Sequence, residues 1–159
     1  MKRTAALLFV FALVSSVLVS IAAQQSPRAA DPRFTEQDFA RLRWIEGSWI
    51  GSGYKEPFYE RYRFTSSTTI EVEHFADAAF SKSTGEKGAI YLADGQILSG
   101  SGDPKWKASR LTGDRIEFVS MKDAANGFSW TRKSPDAWTA VLNRPGGAKT
   151  VYEMTRAKR

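Results

Sequence analysis

From Ser48 to the C-terminus the chain repeats one pattern: a strand-length run alternating in character, then turn residues, at a spacing of roughly 8 to 12 positions. FYERYRF (58–64) sets Phe58, Glu60, Tyr62 and Phe64 against Tyr59, Arg61 and Arg63. TTIEVEHF (68–75) sets Ile70, Val72 and His74 against Glu71, Glu73 and Phe75. GAIYLA turns at Asp94-Gly95 into QILSG, and WKASRL turns at Thr112-Gly113-Asp114 into RIEFVSM. FSWTRKS turns at Pro135-Asp136 into AWTAVLN, and Pro145-Gly146-Gly147 leads into KTVYEMTR. Successive hairpins of this kind make an up-and-down antiparallel sheet. A sheet of so many short strands hides its edges most economically by closing on itself. The pattern predicts an all-β fold: an antiparallel up-and-down β-barrel of about 8 to 10 strands.

One helix precedes it. In FTEQDFARLRW, Thr35 can cap the free amides while Asp38, three residues on, reaches back, and Phe34 is placed to staple onto Phe39. Phe39 and Leu42 share a face, so this short helix should lie against something apolar.

Ahead of the helix, MKRTAALLFVFALVSSVLVSIAAQQ has a basic start at Lys2 and Arg3, an apolar run and small residues before Gln24 and Gln25. That is the layout of a secretory leader over residues 1–23. A cut after Ala22 is the alternative to one after Ala23, since it puts Ser20 at the outer small position. An uncleaved leader is the other reading, because Ala5 to Ala23 approaches the roughly 20 apolar residues that span a bilayer. The polar, proline-bearing stretch 24–33 reads as a flexible tether, and 34–159 as one barrel domain. The expected location is therefore periplasmic or secreted, with membrane attachment only through an uncleaved leader.

The chain has no cysteine. Disulfides, thiolate chemistry and a lipidated N-terminal cysteine are excluded, so packing must hold the fold. About 135 residues remain after the leader, enough for one sizeable core. Lys2 and Arg3 carry two of the net +6 charges, leaving +4 spread through the strands. So modest a balance reads as a solvated surface, and export argues against nucleic acid as a partner. Nothing in the sequence specifies an oligomeric state.

The first strand carries the most specific pattern. RWIEGSWIGSG (43–53) puts Trp49 on the same strand face as Gly51 and Gly53, so beyond one large ring that strand adds almost no volume to the interior. Trp49 is expected to plug one end of the barrel. Arg156, on the last strand, is expected to lay its guanidinium over that indole, a contact worth about 0.5 to 2 kcal/mol.

The helix, then Gly47-Ser48-Trp49, then a closing arginine resembles the lipocalin and wider calycin superfamily. Residues 44–51, WIEGSWIG, with Glu60 in the next strand and Met154-Thr155-Arg156 at the end, look like a group of uncharacterised exported bacterial lipocalin-like proteins. The resemblance implies binding of a small apolar or amphipathic molecule in the barrel mouth. Gly47, Trp49, Gly51 and Gly53 also resemble the G-x-W-x-G-x-G opening of haem-binding nitrobindin barrels. Those proteins hold iron through a histidine in a late strand. Here the single histidine, His74, falls in the third strand, so haem is not carried over and no cofactor is expected.

Two polar residues stand out as candidate chemistry. His74 shares a face with Val72 and Ile70, and would be either a proton-transfer or ligand-contact group or a hydrogen-bonded structural histidine. Glu60 lies between Phe58 and Tyr62. Burial would raise its pKa and suit it to acid or base work, or it would pair with Arg132 or Arg110. Glu60 and His74, on adjacent strands, form the one candidate acid and base pair. One histidine cannot make a three-ligand zinc site unaided, and no metal is expected.

Tyr62, Tyr91, Trp106, Phe118, Trp130, Trp138 and Tyr152 would either line a pocket or fill a narrow barrel solid. Of these, Tyr62, Tyr91, Trp106 and Trp130 join Glu60 and His74 as the expected ligand-binding set. No nucleophile elbow or phosphate loop is present. The expectation is a non-enzymatic binding protein. A small isomerase, cyclase or hydratase using His74 and Glu60 is the second reading, and a solid barrel serving as an envelope scaffold is the third.

Overall fold

A computed structural model describes residues 31–121 and 126–158. The leader expected at 1–23, and most of the tether, lie outside the described residues. A five-residue helix, α1 (Glu36–Ala40), runs into a 3-10 turn at Arg41–Ile45. Ten strands follow among the described residues: β1 (Gly47–Ser52), β2 (Phe58–Ser66), β3 (Thr69–Phe75), β4 (Ser83–Ala93), β5 (Gln96–Gly100), β6 (Trp106–Leu111), β7 (Arg115–Ser120), β8 (Phe128–Ser134), β9 (Ala137–Asn143) and β10 (Lys149–Arg156). Each pairs antiparallel with its sequence neighbour, and β10 returns to β1, closing the barrel.

The helix starts as its sequence dictates. The Thr35 side chain accepts the Asp38 amide at 3.1 Å while Asp38 Oδ2 accepts the Thr35 amide at 3.0 Å. Phe39, Leu42 and Ile45 are fully buried. Burying each of these side chains is worth roughly 1.5 to 3 kcal/mol. The Phe39 ring meets Phe64 edge-on at 5.8 Å, so its aromatic partner is in β2. The last residues of the expected tether are held to the barrel as well. Arg33 donates to the Asp94 carbonyl at 3.0 Å, and Asp31 pairs with Lys107.

This N-terminal segment, together with Trp49, corks the end of the barrel where the β4–β5 and β8–β9 turns lie. Trp49 is wholly buried and donates its indole N–H to the Ile45 carbonyl at 2.7 Å. Trp138 packs edge-on against Trp49 at 5.9 Å and Trp44 at 6.0 Å. Ile70, Ile90, Ile97, Ile116 and Met154 complete the core.

Two departures from the sequence reading concern β1. Gly53 lies past the strand, at φ 102°, and does not continue the Trp49 face. Gly51 does face inward, and the room it leaves is taken by the Phe58 ring, which occupies the place a Cβ would need.

A third departure is on the outer surface. Phe75 points away from the interior yet is only 7% exposed. The loop after β3 folds back over it, bringing Phe80 within 5.4 Å, and the Arg61 guanidinium sits 4.5 Å above its ring. Asp77 ties that loop by accepting the amides of Ala79, Ser81 and Lys82, which holds its carboxyl below the usual range.

Candidate functional site

Beyond Trp138 the barrel interior is not filled. A cavity of about 630 Å³ opens toward the end where the β1–β2 and β9–β10 connections lie. Its volume falls within the range of about 300 to 1,000 Å³ typical of small-molecule sites. The walls are aromatic: Phe58, Tyr62, Trp106, Phe128, Trp130, Trp138 and Tyr152, with Tyr54 at the rim. These rings brace one another edge-on, Tyr62 against Trp130 at 5.9 Å and Phe58 against Tyr152 at 5.5 Å. The Trp106 indole N–H is satisfied by the Asn126 carbonyl at 2.7 Å.

Among the described residues two charged ones reach this space, Glu60 and Arg144. Glu60 follows from the alternation of β2, which turns Phe58, Glu60 and Tyr62 inward together. Its side chain is 15% exposed. The Tyr62 hydroxyl donates to Glu60 Oε2 at 2.6 Å, and His74 Nδ1 stands 3.5 Å from Oε1. His74 is the direct cross-strand neighbour of Glu60, at an irregularity in the β3–β4 register. Burial raises the Glu60 carboxyl above its ordinary value, and the Tyr62 hydrogen bond and the His74 imidazole pull against that rise. The Tyr62 hydroxyl is pushed well above its usual value by burial first, then by the adjoining carboxylate.

The structure thus brings together Glu60, Tyr62, Trp106 and Trp130 from the expected set. His74 stands beside the cavity, partly in solvent, and touches it through Glu60. Tyr91 does not belong. Ile90 is the residue of β4 that pairs with buried Ile70, so Tyr91 takes the opposite, outward face against Leu98. Phe118 is buried beneath Phe128 rather than on the cavity wall.

The arginines expected as alternative partners of Glu60 are elsewhere. Arg132 donates to the Ser134 carbonyl, and Arg110 pairs in register with Glu117. The sequence reading missed Phe128, Leu142 and Arg144. The first two share strand faces with Trp130 and Trp138, so alternation was a usable signal. Arg144 lies in a connection and carried no such signal.

A recess of about 680 Å³ also lies along the corked end, walled by Glu46, Ser48, Arg61, Arg63, Asp136, Arg156 and neighbours. Arg156 and Arg61 are already engaged there in holding the fold, through bonds to the Glu46 carbonyl and the Ser48 hydroxyl. Among the described residues no cluster of three or more His, Asp or Glu could hold a metal ion.

No protein-family model matches the chain, and no curated protein matches it. Among solved structures, it is similar to a redesigned β-barrel at 16% identity and a TM-score of 0.40, over 72% of this chain and 93% of that chain. So slight a likeness carries no argument about function.

Proposed function

We propose that the protein is an exported, lipocalin-like carrier that binds a small apolar or amphipathic molecule inside the open half of its barrel, without catalysis. The observation that carries this reading is the aromatic cavity of about 630 Å³, into which only two charged residues reach among the described residues. Apolar walls supply affinity, and a few placed polar groups fix orientation. An unfilled interior favours this reading over a solid scaffold. Export is supported by the leader layout of residues 1–23. Native mass spectrometry of the protein purified from the producing cell tests the reading directly. A co-purifying small molecule released on denaturation is the expected result, and bare protein that also refuses hydrophobic probes contradicts it.

The second reading, a small barrel enzyme, rests on the Tyr62–Glu60–His74 chain. A carboxyl raised by burial beside an imidazole is a recognisable acid and base arrangement. His74→Ala separates the two: under the enzyme reading turnover of any substrate is abolished, and under the carrier reading ligand affinity shifts only modestly.

A further inference from the structure

The geometry points to an organic cation as the ligand: an ammonium group carried on an aromatic or alkyl body, seated with its charge between the Glu60 carboxylate and the surrounding ring faces. This rests on the carrier reading and names the chemistry of the same site.

The argument begins with an imbalance. Glu60 reaches into a cavity walled by aromatic side chains, Phe58, Tyr62, Trp130 and Tyr152 among them. Ring faces attract cations and repel anions. Yet among the described residues no lysine or arginine pairs with Glu60, and its only basic neighbour is His74 at 3.5 Å. A carboxylate withdrawn from water and lacking a full cationic partner is costly to keep charged. An incoming ammonium removes that cost and gains from the rings. A carboxylate ligand would add a second negative charge to the same space, and a neutral one would leave Glu60 as it is.

One further group sets orientation. Arg144, exposed at the rim and donating to Thr150 Oγ1 at 2.7 Å, repels a cation from the mouth. The ammonium is therefore held inward, at Glu60. Among the described residues the ionisable groups facing this space are Glu60, Tyr62, Tyr54, Tyr152 and Arg144, with His74 beside Glu60.

Binding in this mode favours the charged form of Glu60, whose carboxyl burial otherwise raises, so affinity for a cation falls as pH falls.

The test titrates the purified protein by calorimetry, at about pH 8 and low salt, with three probes sharing one body: 4-phenylbutylamine, 4-phenylbutanol and 4-phenylbutyrate. The amine is expected to bind about tenfold tighter than the alcohol, with butyrate weakest. Glu60→Gln is expected to weaken the amine about tenfold more than the alcohol. In the unmodified protein the advantage of the amine shrinks as pH is lowered, which reads the same carboxylate without a variant. Alcohol or butyrate binding as tightly as the amine overturns the cation inference and leaves the carrier reading standing. So does an amine advantage that survives both Glu60→Gln and acidification. Binding by none of the three overturns both.

Discussion

Arg156 stands directly across the β1–β10 seam from Trp49, with its guanidinium carbon 4.2 Å above the indole centroid. The same guanidinium donates to the carbonyls of Glu46 at 2.8 Å, Trp44 at 3.3 Å and Pro135 at 3.0 Å. It therefore ties the last strand to the N-terminal cork and to the β8–β9 turn at once. Gly47 is required beneath it, because a Cβ there would collide with Nη1 and the backbone sits at φ 128°. The spacing of glycine, tryptophan and terminal arginine is thus a steric and hydrogen-bonding unit.

Arg156→Ala is expected to destabilise the barrel by about 2 to 4 kcal/mol, since it removes the ring contact and strands partly buried carbonyls. Arg156→Lys should recover less than half of that, because a single ammonium cannot serve three carbonyls in a planar fork. Urea unfolding of both variants is the check. Equal stability of the lysine variant and the native protein would contradict it.

Gly51→Ala is expected to cost about 1 to 3 kcal/mol by forcing the Phe58 ring from its place. Phe58→Ala alone removes a cavity wall. The two together should be less damaging than their sum, and a double-mutant cycle measures the coupling. Strict additivity would show that ring and glycine do not share the space.

Acid and alkali should act on stability through separate groups. Burial raises the Glu60 carboxyl above 4.5 in the folded state. Its contribution to stability is then complete below about 4.5, declines as pH rises through the raised folded value, and is constant above it. The native protein should lose stability relative to Glu60→Gln across that window. Asp77 and Asp38, both held below 3.8, act oppositely and cancel in the difference because both proteins keep them. Tyr62, raised above 10.0, should destabilise only in strong alkali, an effect that Tyr62→Phe removes. Urea melts at stepped pH read all of this, and a flat difference between the native protein and Glu60→Gln contradicts it.

Most of the architecture was legible because period-two alternation and turn chemistry are local. The capping box at Thr35 and Asp38 and the hairpin at Asp94-Gly95 need only neighbouring residues to form. β4 was less so. It begins at Ser83, five residues before its apolar part, because STGEK pairs with the end of β3 through backbone bonds that leave no hydrophobic pattern. Phe75 misleads for a related reason. Alternation assigns it outward correctly, but only the later loop with Phe80 and Asp77 decides that outward is still buried. Tyr91 was judged by residue type, when the parity set by Ile90 should have excluded it. Glu60 and His74 were found together because adjacent strands fix cross-strand neighbours. Arg144 depends on how a connection between strands is folded, which no local pattern encodes.

The central claim is that the open half of the barrel takes up a small molecule. It is tested most directly by titrating the neutral fluorophore N-phenyl-1-naphthylamine into the native protein and into Leu142→Trp, which fills part of the cavity from its half-exposed wall. Saturable enhancement at one site in the native protein, weakened about tenfold or more by the added ring, is the expected result. Absence of enhancement, or equal enhancement in both proteins, would contradict it.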